Sequence, residues 1–192
     1  MSLTRSEAIL AAVVAVAIFP LLFFVQDWTG VLLLGVSMYI IFLSREARRD
    51  WRVAAVICLG LSIRHVVSII NAYYTTVIAA DVDAVRFHEI AVLAANSITP
   101  DWYNEFGSLD AGANAYIGLL ALTYRLFGAS KFVGQELSVL AFAITILIYV
   151  KLLREIRLQY YLLPLLTLFL ILPSVVIFTS ITMREAFQIL CF

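Results

Sequence analysis

Five stretches of the chain are apolar for too long to be hidden inside a soluble core. They are Ala8–Val25, Trp28–Leu43, Val53–Ala80, Phe132–Val150 and Tyr160–Thr179, and three of them hold no charged residue. A transmembrane helix needs about 20 predominantly apolar residues. The pattern therefore predicts an all-α fold: a polytopic helical membrane protein with about five transmembrane helices, the second of them short. Composition agrees. The chain is 64% hydrophobic and only 14% charged, against about 25% charged in an average soluble domain. Net charge is +0, which gives no reason to expect a nucleic-acid partner; the expected surroundings are the lipid bilayer. Arg5 followed by an apolar run imitates a signal peptide, but the run continues to Val25 and more follow it, so a first transmembrane helix is expected. A sixth apolar run starts at Ala186 and reaches Phe192. A helix ending there would strand its last carbonyls, so the chain is expected to be a piece of a longer one.

Orientation follows from the basic residues. Arg45, Arg48, Arg49 and Arg52 follow the second run, and Lys151, Arg154 and Arg157 follow the fourth. Placing both groups inside also places Arg5 inside, which makes eight of the thirteen basic residues cytoplasmic. Nine of the thirteen acids, Glu136 among them, then fall on the opposite face. The expectation is a multi-pass plasma-membrane protein with a cytoplasmic N-terminus and one long external segment, residues 81–131. Loops longer than about 12–15 residues are usually functional or disordered, and this one is too apolar for disorder. Ala84–Ser97 has the pattern of an amphipathic helix that Asp81 or Asp83 would cap. Ile98–Gly112 is rich in turn residues. Tyr116–Phe127 is too short to span and is expected to lie in the outer interface.

Three groups of residues carry potential chemistry. Asp81 and Asp83 stand where the third run emerges, followed by Arg86, His88 and Glu89. An acidic pair at a membrane exit suits a divalent cation or a general base, and equally a plain helix cap. Arg184 and Glu185 stand where the fifth run emerges, with Ser180 and Thr182 before them. Charged residues at a membrane boundary are often anchors, and an adjacent Arg and Glu also suit pairing with each other; a functional role is weighed evenly against these. Arg64 and His65 fall near the middle of the third run. Ionisable groups at that depth are expensive and default to a functional role, although Arg64 could instead snorkel to the boundary. The aromatic residues Tyr73, Tyr74, Trp102, Tyr103, Tyr116 and Tyr124 make an outer belt.

Taken together, these segments resemble a family. Ala80-Asp81-Val-Asp83-Ala-Val-Arg86-Phe-His88-Glu89, then Asn114 to the Phe127-Gly128 turn, then Pro173-Ser174 through Arg184-Glu185 are similar in order and membrane side to the GT-C glycosyltransferases. That class uses polyprenyl-phosphate-linked sugar donors and includes protein O-mannosyltransferases and aminoarabinose transferases. The resemblance covers roughly residues 60–192. It divides the chain into two additional N-terminal helices, 1–52, and a truncated GT-C-like core, 53–192. It departs from the family at the second site, where Arg-Glu stands in place of the Asp that many members have.

The resemblance implies transfer of a sugar from a polyprenyl phosphate to a glycan, lipid or protein acceptor outside the cytoplasm. It implies Asp83 and Glu185 as catalytic residues. Asp81, Arg86, His88, Arg184 and Arg64 would contact substrate or phosphate. Metal use varies across the family; a divalent cation, if used, would sit on Asp81, Asp83 and Glu185. Two further expectations come from the residues themselves: a transporter or lipid-linked-sugar flippase relaying through Arg64-His65, and a non-catalytic membrane subunit.

Overall fold

The computed structural model describes residues 27–74, 81–97, 111–181 and 185–191, with the side chains of 81–83, 111, 185, 189 and 191 left aside. Among the described residues the chain is all-helical and has no strand. In order the helices are α1 (Trp28–Leu43), α2 (Arg45–Arg49), α3 (Trp51–Tyr73), α4 (Asp81–Asn96), α5 (Ala111–Phe127), α6 (Lys131–Glu155), α7 (Leu162–Ile171), α8 (Pro173–Ser180) and α9 (Glu185–Cys191). A single 3₁₀ turn, Gln159–Tyr161, leads into α7.

Short polar residues start these helices by satisfying amides that have no intrahelical acceptor. Asp27 accepts from the amides of Thr29 and Gly30 at the head of α1. Ser44 does the same for Glu46 and Ala47, Asp50 for Arg52, and Ser130 for Phe132 and Val133. α5 ends at Gly128, whose φ of 92° is open to glycine at little cost and whose amide bonds back to the Tyr124 carbonyl at 2.8 Å.

α6 is the central post. It packs against α1, α3, α5, α7, α8 and α9. One apolar core joins α1, α3, α6 and α7 through residues such as Ile41, Ile57, Phe142, Ile146 and Leu166. A second core lies at the end of the bundle where α3 finishes. There α4 and α5 pack on each other through Phe87, Ala91, Ile117 and Leu120, with Val133 of α6 and Ile181 below them. The outer faces of α3 and α6 remain apolar: Leu59, Ile63, Ile148 and Leu152 are all exposed. A solvated bundle would not leave such faces open.

Among the described residues two helices, α3 and α6, are long and apolar enough to cross a membrane, and a third span results if α7 and α8 count as one bent crossing. That is fewer than the five expected. Ala8–Val25 lies outside the described residues. Trp28–Leu43 is apolar, but its 16 residues reach only about 24 Å against a hydrocarbon core of about 30 Å. Val53–Ala80 is not helical throughout: α3 stops at Tyr73, and 75–80 lie outside the described residues. Tyr160–Thr179 is broken by a 60° bend between α7 and α8. The cause is Pro173. It has no amide to donate, and it forces the preceding Leu172 into an extended conformation, φ −50° and ψ 120°. The short helix expected over Tyr116–Phe127 is longer, Ala111–Phe127, and does not qualify as a span.

Two glycines let helices approach closely. A Cβ on Gly30 would collide with the Phe132 ring, and one on Gly60 would lie 2.6 Å from Leu170 Cδ2. Leu170 is itself buried and has no room to swing away. Gly60→Val is therefore expected to destabilise the bundle by about 1–3 kcal/mol. Gly35→Ala, where nothing lies within 4 Å, is expected to leave it unchanged. Thermal melts of the two variants in one detergent check the difference.

Candidate functional site

The three groups singled out in the sequence occupy two levels of the bundle. At the end where α3 finishes, α4 begins at Asp81, so Asp81 and Asp83 stand in its first turn, where negative charge complements the helix dipole. Their side chains lie outside the described ones, as do Arg184 and the side chain of Glu185. The backbone still places Asp83 and Glu185. Ala84, directly after Asp83, and Ala186, directly after Glu185, are both buried. A chain of rings connects the two helices. Phe87 of α4 meets Tyr116 of α5 edge-on at 5.5 Å, and Tyr116 meets Phe187 of α9 at 5.2 Å. The two acidic motifs, about 100 residues apart, thus begin helices that pack on one aromatic cluster. Arg86 is exposed.

His88 is half-buried on α4, and its Nδ1 lies 2.7 Å from the Tyr124 hydroxyl of α5. Burial, reinforced by the nearby Lys131 ammonium and opposed by Glu89, lowers its pKa from the ordinary 6.5. Burial, then neighbouring Tyr116, raises that of Tyr124. Both shifts favour the neutral forms, a phenol and an imidazole sharing one hydrogen bond.

The second level is buried inside the bundle. Arg64 is fully enclosed and does not snorkel. Its Nε donates to Thr179 Oγ1 at 2.8 Å, and its Nη1 donates to the carbonyls of Gly60 at 2.8 Å and Leu170 at 3.0 Å. The guanidinium carbon sits 3.9 Å from the centre of the Phe142 ring. Leu170 lies in the last turn of α7, where the break at Pro173 leaves carbonyls without an amide four residues on. Arg64 supplies the missing donor. Among the described residues no carboxylate lies within ion-pair distance of it, and its Nη2 has no hydrogen-bond partner.

His65 points from α3 to the other side. Its Nδ1 lies 2.8 Å from Glu136 Oε2 and its Nε2 lies 3.1 Å from Ser37 Oγ, with all three residues fully buried. Ser37 already donates to the Leu34 carbonyl at 2.8 Å. Its oxygen is thus left to accept from Nε2–H, and Nδ1 makes the remaining hydrogen bond with Glu136 Oε2. Ser68 donates to Gln135 Oε1 beside them at 3.3 Å. Glu136 Oε1 and Gln135 Nε2 have no hydrogen-bond partner among the described residues. Sequence reasoning missed Ser37, Gln135, Glu136 and Thr179, and it counted Glu136 among the external acids. The signal was available: Gln135-Glu136 falls inside the apolar run Phe132–Val150, where a lone carboxylate needs a buried partner. Among the described residues no group of three metal-ligating side chains forms.

Comparison with known proteins finds no match: no family model, no curated protein and no solved structure aligns with this chain.

Two expectations follow. Removing one partner of a buried hydrogen bond strands the other and costs about 1–3 kcal/mol. His65→Ala and Glu136→Ala are each expected to lower the melting temperature strongly, and the double variant by clearly less than their sum. Strict additivity would mean the two do not interact. For His88, a folded-state pKa below the unfolded one means the neutral form is favoured on folding. Its stabilising contribution is complete above pH 6.5 and is lost as the pH falls through the folded-state value. The expectation is that the Tyr124 phenol donates to the neutral ring, so Tyr124→Phe should raise the His88 pKa. An NMR titration in micelles that showed no rise would remove Tyr124 from this role.

Proposed function

We propose that this chain is part of a membrane glycosyltransferase of the GT-C kind, moving a sugar from a polyprenyl phosphate to a hydroxyl-bearing acceptor on the non-cytoplasmic side. The observation that carries the reading is the ring chain Phe87–Tyr116–Phe187, which ties the helices bearing Asp83 and Glu185 to one cluster. General base and counter-charge must lie within one substrate's reach for such chemistry, and this packing favours that. A juxtamembrane pair, α4 and α5, lying against the end of the bundle further supports it.

In this reading Asp83 takes the proton from the acceptor hydroxyl. The acceptor oxygen bonds to the anomeric carbon as the bond from that carbon to the phosphate oxygen breaks, and the electron pair leaves with the polyprenyl phosphate. Arg184 or Arg86 stabilises the charge that develops there. Arg64 is given no such part, because Thr179, Gly60 and Leu170 already engage it. Glu185 orients the acceptor or the sugar.

The test is transfer of radiolabelled hexose from a polyprenyl phosphate by membranes containing the full-length protein. Asp83→Asn is expected to lower transfer by about 10²–10⁴-fold, the usual worth of a positioned base, at unchanged expression; undiminished transfer would sink the assignment. The arrangement also requires the end with α4 outside and the end with Arg45–Arg52 inside. Glu89→Cys should react with an impermeant thiol reagent added to intact cells, and Arg52→Cys should not. The opposite pattern would invert the topology.

A proton-coupled transporter is the second reading, and the buried Ser37–His65–Glu136 chain is what favours it. It predicts proton uptake into vesicles that Glu136→Gln abolishes and Asp83→Asn leaves intact.

A further inference from the structure

At the end of the bundle opposite α4, the structure forms a cavity of about 860 Å³ that neither reading uses. Its wall is the five-residue α2 on one side and the last turn of α6 on the other. We propose that this cavity binds a multivalent phosphate, supplied either by an anionic lipid headgroup or by a soluble polyphosphate.

The charge balance points that way. Arg45, Arg48, Arg49, Lys151 and Arg154 line the cavity, against Glu46 and Glu155. Both carboxylates are already engaged: Glu46 pairs with Arg154, and Glu155 lies 3.8 Å from Lys151. Among the described residues no carboxylate lies within ion-pair distance of Arg45, Arg48 or Arg49. Helical spacing of three and four places these guanidinium groups on one face, where like charges repel and weaken the helix. Ala47 is buried on the other side of α2. An anion among the three arginines would turn that repulsion into attraction, and arginine meets phosphate oxygens with paired, fork-like hydrogen bonds.

The cavity is also held in shape. Arg154 donates to the Glu46 carbonyl at 3.0 Å as well as to its carboxylate, fastening α2 to α6 across 108 residues of sequence. Ser44 caps the start of α2. A run of surface arginines on a loose loop would have neither restraint.

Its level in the bundle suits a headgroup. Trp51, Tyr160 and Tyr161 are exposed at the same end, as side chains that settle at a membrane–water boundary are. Basic pockets between helices at that level take multiply charged headgroups. The volume falls within the range of small-molecule sites and leaves room for more than one phosphate group.

The experiment uses the full-length protein exchanged into phosphatidylcholine nanodiscs, alone or doped with cardiolipin, with retained lipid counted by native mass spectrometry. A second arm measures binding of inorganic pyrophosphate in detergent by calorimetry. The triple variant R45Q/R48Q/R49Q should weaken binding by about a hundredfold, the combined worth of three cations at membrane level. R45K/R48K/R49K keeps the charge and should retain part of the affinity, which guards against simple loss of folding. R125Q, on α5 at the far end, should bind like the wild type. Cardiolipin retention without pyrophosphate binding identifies a lipid headgroup, and the reverse identifies a soluble anion; either supports the site. Binding of neither probe, or equal binding by the triple variant, overturns it.

Discussion

The guanidinium of Arg64 is the contact on which the bundle depends. A proline-broken span exposes carbonyls in a place where no water reaches them, and unsatisfied backbone groups there cost several kcal/mol each. Arg64 reaches from α3 to the end of α7 and to Thr179 of α8, and it rests on the Phe142 ring of α6. One side chain therefore joins four helices and makes the 60° bend tolerable. The bend in turn directs α8 toward α6 and lets Ile181 join the cluster beneath α4 and α5. Without the cation the broken helix has no donor, and without the break the cation has no acceptor.

Much of the architecture was legible because apolar runs and their interruptions are strong signals. The all-helical character, the amphipathic helix after Asp81 and the helix ending at Phe127-Gly128 could all be read from residue type and spacing. The number of crossings was not, for reasons that lie in particular residues. Pro164 and Pro173 lie in the same apolar run, yet only Pro173 breaks the helix. Pro164 sits in the first turn of α7, where a missing amide matters little. α3 was drawn too long because Tyr73 and Tyr74 look as apolar as the residues before them.

The site was legible in its residue types and illegible in its pairings. Arg64 and His65 were marked as costly, but adjacent helical positions point about 100° apart, and nothing in one dimension says which partner each faces. They face opposite sides: Arg64 meets α7 and α8, and His65 meets α1 and α6. The same two-residue pair thus serves two separate layers. The charge split that suggested orientation also misplaced Glu136, because counting acids by loop ignores that a carboxylate one turn inside a helix can be neutralised from a neighbour.

The long sequence separation of these pairs has a consequence for biosynthesis. His65 meets Glu136 across 71 residues and Arg64 meets Thr179 across 115. At about 5–20 residues per second, the ribosome makes Glu136 roughly 4–14 s after His65, and Thr179 later still. Throughout that interval Arg64 has only the Gly60 carbonyl of its own helix and His65 only Ser37 of α1, and their partners on α6, α7 and α8 are still to come. The pair with Glu136 closes only once α6 has been made. Sequence order alone makes α3 an early-made helix whose long-range pairs close late, and any slowing of elongation between residues 65 and 136 lengthens that interval.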